Sequence, residues 1–319
     1  AGFGTAPAVT AESVAFFGTL KGEVEAVRLA NGKGIGGRDF GTAVAGTPSL
    51  DQAMIYVPLA YDEESLICYD LQSAVPRWRV RAGPIETSPL LLERKVYVTT
   101  LEGRLHCIDR SDGTISWSYE LPLTLRTTVI RSSPASDGAL IFFGSDNGDL
   151  SAVGASDGKL RWTAHAGASI LGAPSVRAGT VFAGSLDSTM YAFRASDGVL
   201  VWKRRLAGRI YGAQAVDGTH VYVGTAARTI SCLDAASGAI LWTTQTDGVV
   251  NAAPLAAGKI LYAGSLGKTL YALDTEHGTI LWQFAAAGRI KTTPVIAQHL
   301  LLVFAEDRRV IAFKEAESP

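Results

Sequence analysis

The 319-residue chain is short of several things that would narrow its function. It has almost no net charge: 29 Lys and Arg against 30 Asp and Glu leave −1, so there is no basic footprint for nucleic acid and no polybasic patch for a membrane surface. No run approaches the roughly 18 apolar residues of a membrane helix, and no signal peptide or lipid-acceptor cysteine stands at its start. Cysteine is scarce and odd in number. Cys68, Cys107 and Cys232 lie far apart, which excludes a disulfide framework or a thiolate metal cluster and reads as small buried hydrophobes. His106, His165, His220, His277 and His299 show no zinc spacing and read as surface or turn residues. There is no Gly-x-Ser-x-Gly nucleophile elbow, and the run GKGIGG at residues 32–37 lacks the Gly-Lys-Ser/Thr ending of a phosphate loop.

What the chain does have is one repeat. All six tryptophans, Trp78, Trp117, Trp162, Trp202, Trp242 and Trp282, sit at a single phase, 39, 45, 40, 40 and 40 residues apart. A proline opens nearly every copy: Pro7, Pro48, Pro89, Pro134, Pro174, Pro254 and Pro294, with Gln214 in its place in the sixth. Residues 252–284 show the unit, with strand-like pieces at Pro254–Leu255, Ile260–Ala263, Thr269–Leu273 and Thr279–Phe284 between glycine turns. Four short strands per period of about forty predict an all-β, eight-bladed β-propeller of four-stranded antiparallel blades, filling residues 1–319 as a single domain.

The first copy has Gly36 where tryptophan is expected, and the eighth stops before a fourth strand. An open sheet edge is a liability, so either residues upstream of this chain supply the missing outer strand or the blade closes with three strands.

The motif read in LDAASGAILW (233–242), LDTEHGTILW (273–282) and IDRSDGTISW (108–117) resembles the quinoprotein-type, PQQ-like propeller repeat. The resemblance covers nearly the whole chain. It implies that each tryptophan docks between neighbouring blades, a structural place rather than a binding one, and that Asp-x-x-x-Gly forms the turn between third and outer strands. Arg28, Gly154, Arg194 and Lys314 replace the motif aspartate and put local turn geometry in question.

Function is sought where copies differ. Four residues before the proline position every copy is apolar: Phe3, Val44, Ile85, Ile130, Ile170, Ile210, Val250 and Ile290. One residue later stand Gly4, Ala45, Glu86, Arg131, Leu171, Tyr211, Asn251 and Lys291. Side chains alternate along extended chain, so the second set faces away from the core, at one mouth of the central channel. Glu86, Arg131, Tyr211, Asn251 and Lys291 could there hold a polyanionic ligand, with Glu86 and Asn251 as cation ligands.

The resemblance offers two readings of different class. One is a non-enzymatic scaffold of the bacterial cell envelope, periplasmic or otherwise extracytoplasmic, binding protein partners of an envelope assembly complex through loops on one face. Size, blade number and the lack of pocket-building insertions favour it. Candidate contacts are Asp62, Glu63 and Glu64 in LAYDEESL, and Leu123, Leu125 and Arg126 in the long connection 119–134, which could equally fold over a blade edge. The other is a PQQ-dependent dehydrogenase or ligand-sensing propeller using PQQ and Ca²⁺ at the mouth. Against it, no aspartate stands at the mouth phase to act as base, and no tryptophan is left to stack on a quinone. Under either reading the propeller could be one subunit of a larger assembly.

Overall fold

The computed structural model describes residues 8–9 in backbone alone, 13–61, 63–122, 129–306 and 309–314. Its strands form eight antiparallel sheets arranged as an eight-bladed propeller. Each sheet is a meander in chain order. In the seventh blade the strands are Leu255–Ala257, Ile260–Gly264, Thr269–Asp274 and Ile280–Ala285, within two residues of the sequence expectation. Seven blades have four strands, and among the described residues the eighth has three, Val295–Ala297, Leu300–Ala305 and Arg309–Lys314.

The strand pairing explains the repeat. In blades 2 to 7 the outer strand carries one extra residue just before the tryptophan, a β-bulge that turns the ring toward the next blade. Directly across the pair sits Cys68, Cys107, Ala152, Ala192, Cys232 or Ala272. Only a small side chain leaves room for an indole there, so the three cysteines, all free and buried, are interchangeable with alanine for steric reasons. Burial pushes the Cys68 thiol up to about 11 and Cys232 to about 12, so both are protonated and inert at neutral pH.

The ring of each of Trp78, Trp117, Trp162, Trp202 and Trp242 is clasped on three sides. An aromatic on its own blade's second strand lies against it, as Phe182 does against Trp202 with ring centroids 5.9 Å apart. Its Nε1–H donates to a carbonyl of the next blade: Trp78 to Arg110, Trp117 to Ala155, Trp162 to Ala195, Trp202 to Ala235 and Trp242 to Thr275, at 2.8–3.2 Å. Its face covers a glycine of that same turn. A Cβ placed on Gly113, Gly158, Gly198, Gly238 or Gly278 would meet the ring of the preceding blade at 2.4–2.9 Å. These glycines are also left-handed, with φ between 67° and 79°, so both close approach and backbone shape require them.

The turns without the motif aspartate keep this geometry. Asp70 and Asp234 accept backbone N–H groups two or three residues on, and Asp70, further held by Arg77, is lowered to about 2. Where Arg28, Gly154 and Arg194 stand instead, Asn31, Asp157 and Asp197 cap the N–H of Lys33, Lys159 and Val199. These caps serve a different N–H from the aspartate's, and Asp112 makes the same one on Thr114 beside Asp109; the turn is kept by the backbone bond from the glycine N–H to the carbonyl of Arg28, Gly154 or Arg194, as to that of Asp234.

The apolar ring is core: Val44, Ile85, Ile130, Ile170, Ile210, Val250 and Ile290 are fully buried, while Phe3, like Gly4 and Pro7, lies outside the described residues. Gly144, Gly184, Gly224 and Gly264 end the second strands under Ile170, Ile210, Val250 and Ile290, and a Cβ on them would come within 2.3 Å of those side chains. Among the described residues the last and first blades meet through side chains. Leu302 and Phe304 pack on Ala15, Phe17 and Leu29, with Phe17 and Phe304 centroids 5.1 Å apart, and Ser13 donates to Gln298.

Trp282 differs from the rest. It is 36% exposed, against 8–9% for Trp78, Trp162, Trp202 and Trp242. Trp202→Ala is therefore expected to cost about 3–5 kcal/mol of stability, the usual loss for a buried aromatic. Trp282→Ala is expected to cost clearly less, and denaturant unfolding of the two variants checks the order.

Candidate functional site at the channel mouth

Blade topology decides which segments meet at the mouth. The lead-in to each inner strand, the turn between second and third strands, and the connection from the previous outer strand all lie at one end of the blade. The tryptophan docks lie at the other. The lead-ins alternate as expected: Ile85, Ile130, Ile170, Ile210, Val250 and Ile290 are buried, while Glu86, Arg131, Leu171, Tyr211, Asn251 and Lys291 are half-buried or exposed.

The charges of this ring are not poised together for one ligand. Arg131 sits between Glu86, at 3.6 Å from the previous lead-in, and Asp146, at 2.5 Å from its own blade's second-to-third turn. On the eighth blade Lys291 contacts Glu306 at 2.5 Å, and Arg289 donates to the same carboxylate. The mouth therefore carries two separate ion-pair clusters. Glu306 is lowered chiefly by the Lys291 ammonium, whereas Asp146 is raised because burial outweighs the Arg131 guanidinium beside it. Tyr211 joins neither cluster. Asn251 Oδ1 is buried without a hydrogen-bond partner among the described residues, and Gly212 approaches its backbone so closely that a Cβ would lie 2.0 Å from the Asn251 carbonyl oxygen.

Sequence reasoning missed Asp146, Arg289 and Glu306. They belong to other phases of the repeat, and comparing the copies SDNG, SLDS, TAAR, SLGK and AEDR at the second-to-third turn would have shown acids in only some of them. The reading of all histidines as surface or turn residues is corrected by His106. It is 5% exposed on a third strand, with Nδ1 on Ser118 Oγ at 2.7 Å and Nε2 on the Ala82 carbonyl at 3.1 Å.

The loop 59–66 lies at this same end, as the second-to-third turn of blade 2. Glu64 pairs with Arg79 at 3.5 Å and Glu63 with Arg81 at 3.7 Å, and Tyr61 between them and the blade is 72% exposed. Asp62, Leu123, Leu125 and Arg126 lie outside the described residues. A cleft of about 670 Å³, lined by Tyr262, Trp282, Phe284, Leu300 and Phe313, lies between blades 7 and 8 and not at the mouth.

For a quinone with Ca²⁺ the residues do not fit. The cations that would hold its carboxylates are committed to Glu86, Asp146 and Glu306, and Glu86 turns to Arg131 rather than converging with Asn251. Among the described residues no group of three or more His, Cys, Asp or Glu side chains gathers around a common point that could hold a metal ion.

With fold and mouth in view, the comparisons decide the family. The family model described as outer membrane protein assembly factor BamB matches residues 20–134, 123–210, 200–286 and 255–318. The chain belongs to this family. A curated relative, outer membrane protein assembly factor BamB of Yersinia pestis, is 30% identical over 112 residues, which are 35% of this chain and 26% of that protein. The match thus spans about a quarter of the relative's length. The crystal structure of BamB from Moraxella catarrhalis superposes with a TM-score of 0.83 at 18% identity, covering 98% of this chain and 96% of that one. The computationally designed Ika8 protein reaches the same TM-score at 12% identity, covering 98% of both chains. At these identities the two solved structures speak to the fold alone. No helix among the described residues is long and apolar enough to cross a membrane.

His106 supplies a pH prediction. Burial lowers its pKa from 6.5, so the unfolded chain takes up a proton that the folded site resists. Its neutral form contributes fully above about pH 6.5, and stability falls as pH drops toward the lowered folded value, by about 1.4 kcal/mol for each tenfold difference in proton affinity. Unfolding measured between about pH 7 and 5 should show a smaller acid-side slope in His106→Gln than in the unaltered protein.

Proposed function

We propose that this protein is a non-enzymatic scaffold of the bacterial cell envelope that acts outside the cytoplasm in the assembly of outer-membrane proteins, as the name of its BamB relatives describes them. The observation that carries this reading is the family match, which runs from residue 20 to residue 318 and so involves every blade rather than one motif.

The mouth geometry is consistent with a surface that meets proteins. Its charges gather in two clusters, two carboxylates about Arg131 and two cations about Glu306, so a partner encounters a patterned polar face. Paired rim charges steer and select partners more than they add affinity. Tyr61 offers a large exposed ring on the same face, flanked by Glu63 and Glu64, and exposed aromatics of this kind are frequent anchors in protein interfaces. Leu123, Leu125 and Arg126, in the long connection 119–134 of the sequence, are the second candidate anchor set.

The test is made in the source organism. Deleting the chain should lower the amount of folded outer-membrane barrel protein, read from heat-modifiable migration on gels. The unaltered chain should restore it, and a Tyr61→Ala, Glu63→Lys, Glu64→Lys variant of unchanged stability should restore it only in part. Unaltered barrel levels after deletion would contradict the reading.

A further inference from the structure

A single backbone bond, repeated from blade to blade, sets which side chains face each other at the mouth. The residue before a buried lead-in residue accepts, through its carbonyl, an N–H of the turn between second and third strands: Pro84 from Leu101, Val249 from Leu266 and Arg289 from Glu306, at 2.8–2.9 Å. Those pairs match in kind, apolar with apolar and cation with acid. Arg209 accepts the N–H of Ala226 at the same 2.9 Å. In blade 6, then, an arginine stands in the place of Arg289, with a methyl group where Arg289 has the Glu306 side chain.

A second acid is missing from the same blade. In blade 7 Ser265 and Thr269 donate to Asp247, whereas in blade 6 their counterparts Thr225 and Thr229 bond to each other at 2.7 Å and Ala207 stands for the aspartate. The connection 206–210 and the turn 225–229 thus bring two arginines, Arg209 and Arg228, and no acid to this sector. Both arginines are exposed, and among the described residues neither guanidinium has a carboxylate oxygen within 4 Å. The acids of the flanking blades are engaged elsewhere, Asp187 by Tyr191 and the Gly167 N–H, Asp247 by the two hydroxyls named above. Tyr211, at the phase where Lys291 contacts Glu306, is half-buried two residues after Arg209.

We propose that the blade 6 sector of the mouth is a recognition site for the carboxylate side chains of an acidic peptide segment, gripped by Arg209 and Arg228 with the Tyr211 hydroxyl as a further donor. Blade 8 supplies the pattern for the occupant, since there one carboxylate, Glu306, takes both Arg289 and Lys291. A carboxylate from outside meets the same arginine over the small Ala226, with no resident acid to displace. Guanidinium–carboxylate bonds are charge-assisted and directional, which suits arginine to this task. At an exposed rim a lone small anion competes with water and salt, so the occupant is a segment with adjacent acids that engages both guanidinium groups at once. The inference concerns this one sector and does not depend on the assembly reading: it is tested on the purified chain, and that reading in cells.

The test titrates the full chain into a fluorescein-labelled synthetic hexapeptide carrying two adjacent glutamates among glycines and serines, read by anisotropy at low salt. Saturable binding is expected, weakened about fivefold or more when glutamines replace the glutamates, and falling as salt is added. Arg209→Gln and Arg228→Gln, both exposed and so without consequence for the fold, should each weaken binding to a similar degree. Ala226→Glu, which gives blade 6 the acid that blade 8 carries, should abolish it. Ala226→Gln, of the same size but uncharged, should leave most of it, which separates loss by charge from loss by bulk. Absence of saturable binding, equal binding of the glutamine peptide, or indifference to Arg209→Gln, Arg228→Gln and Ala226→Glu would overturn the proposal. Competition by free glutarate as strong as by the unlabelled peptide would overturn the peptide occupant in favour of a small dicarboxylate.

Discussion

The fold depends on one contact made again and again: an indole ring laid on a left-handed glycine of the neighbouring blade, its N–H closed onto that blade's backbone. A blade of short strands cannot bury both faces by itself, so stability resides in the seams rather than in the sheets. The dock constrains every element it touches. It requires a bulge to aim the ring, alanine or cysteine opposite it, an aromatic behind it and glycine beneath it. Four positions of the repeat follow from that one requirement; at the first copy Gly36 replaces tryptophan and Ala74, at φ 56°, stands for the glycine of the next blade, while the bulge, Ala26 and Phe16 are kept and Phe40 meets Tyr69 edge-on with centroids 6.0 Å apart.

Seam quality is not uniform around the ring. Blades 2 to 7 are joined by complete docks, with indole, carbonyl and glycine all in place. Trp282 is only partly covered, and the joint between blades 8 and 1 rests on aliphatic and phenylalanine packing. Where burial is lower, local opening costs less.

Much of this was legible in the sequence because repetition makes structure visible. Tryptophan phase, opening prolines and the apolar ring gave the blade number and the core without any contact information. The alternation from Ile130 to Arg131 separated the buried lead-in residues from the exposed ones. What it could not reveal was their neutralisation, because Asp146 and Glu306 come from a different turn and meet the lead-ins only in three dimensions. His106 escaped for a related reason: a polar residue on a third strand reads as surface unless Ser118 and the Ala82 carbonyl are known to receive it. The aspartate-free turns keep their shape through the backbone, the glycine N–H bonding to the carbonyl of Arg28, Gly154 or Arg194. For function, sequence and fold lead to the BamB family, and the choice of contact surface rests on side chains whose roles solution experiments must assign.

The central claim is that interblade docks, more than the blades themselves, set stability around the ring. Native-state hydrogen exchange resolves it residue by residue. The account predicts that amides of Leu300–Ala305 exchange through an opening of distinctly lower free energy than those of Thr180–Gly184 and His220–Gly224, whose seams carry complete docks. Equal protection of these second strands, all opening only with global unfolding, would contradict it.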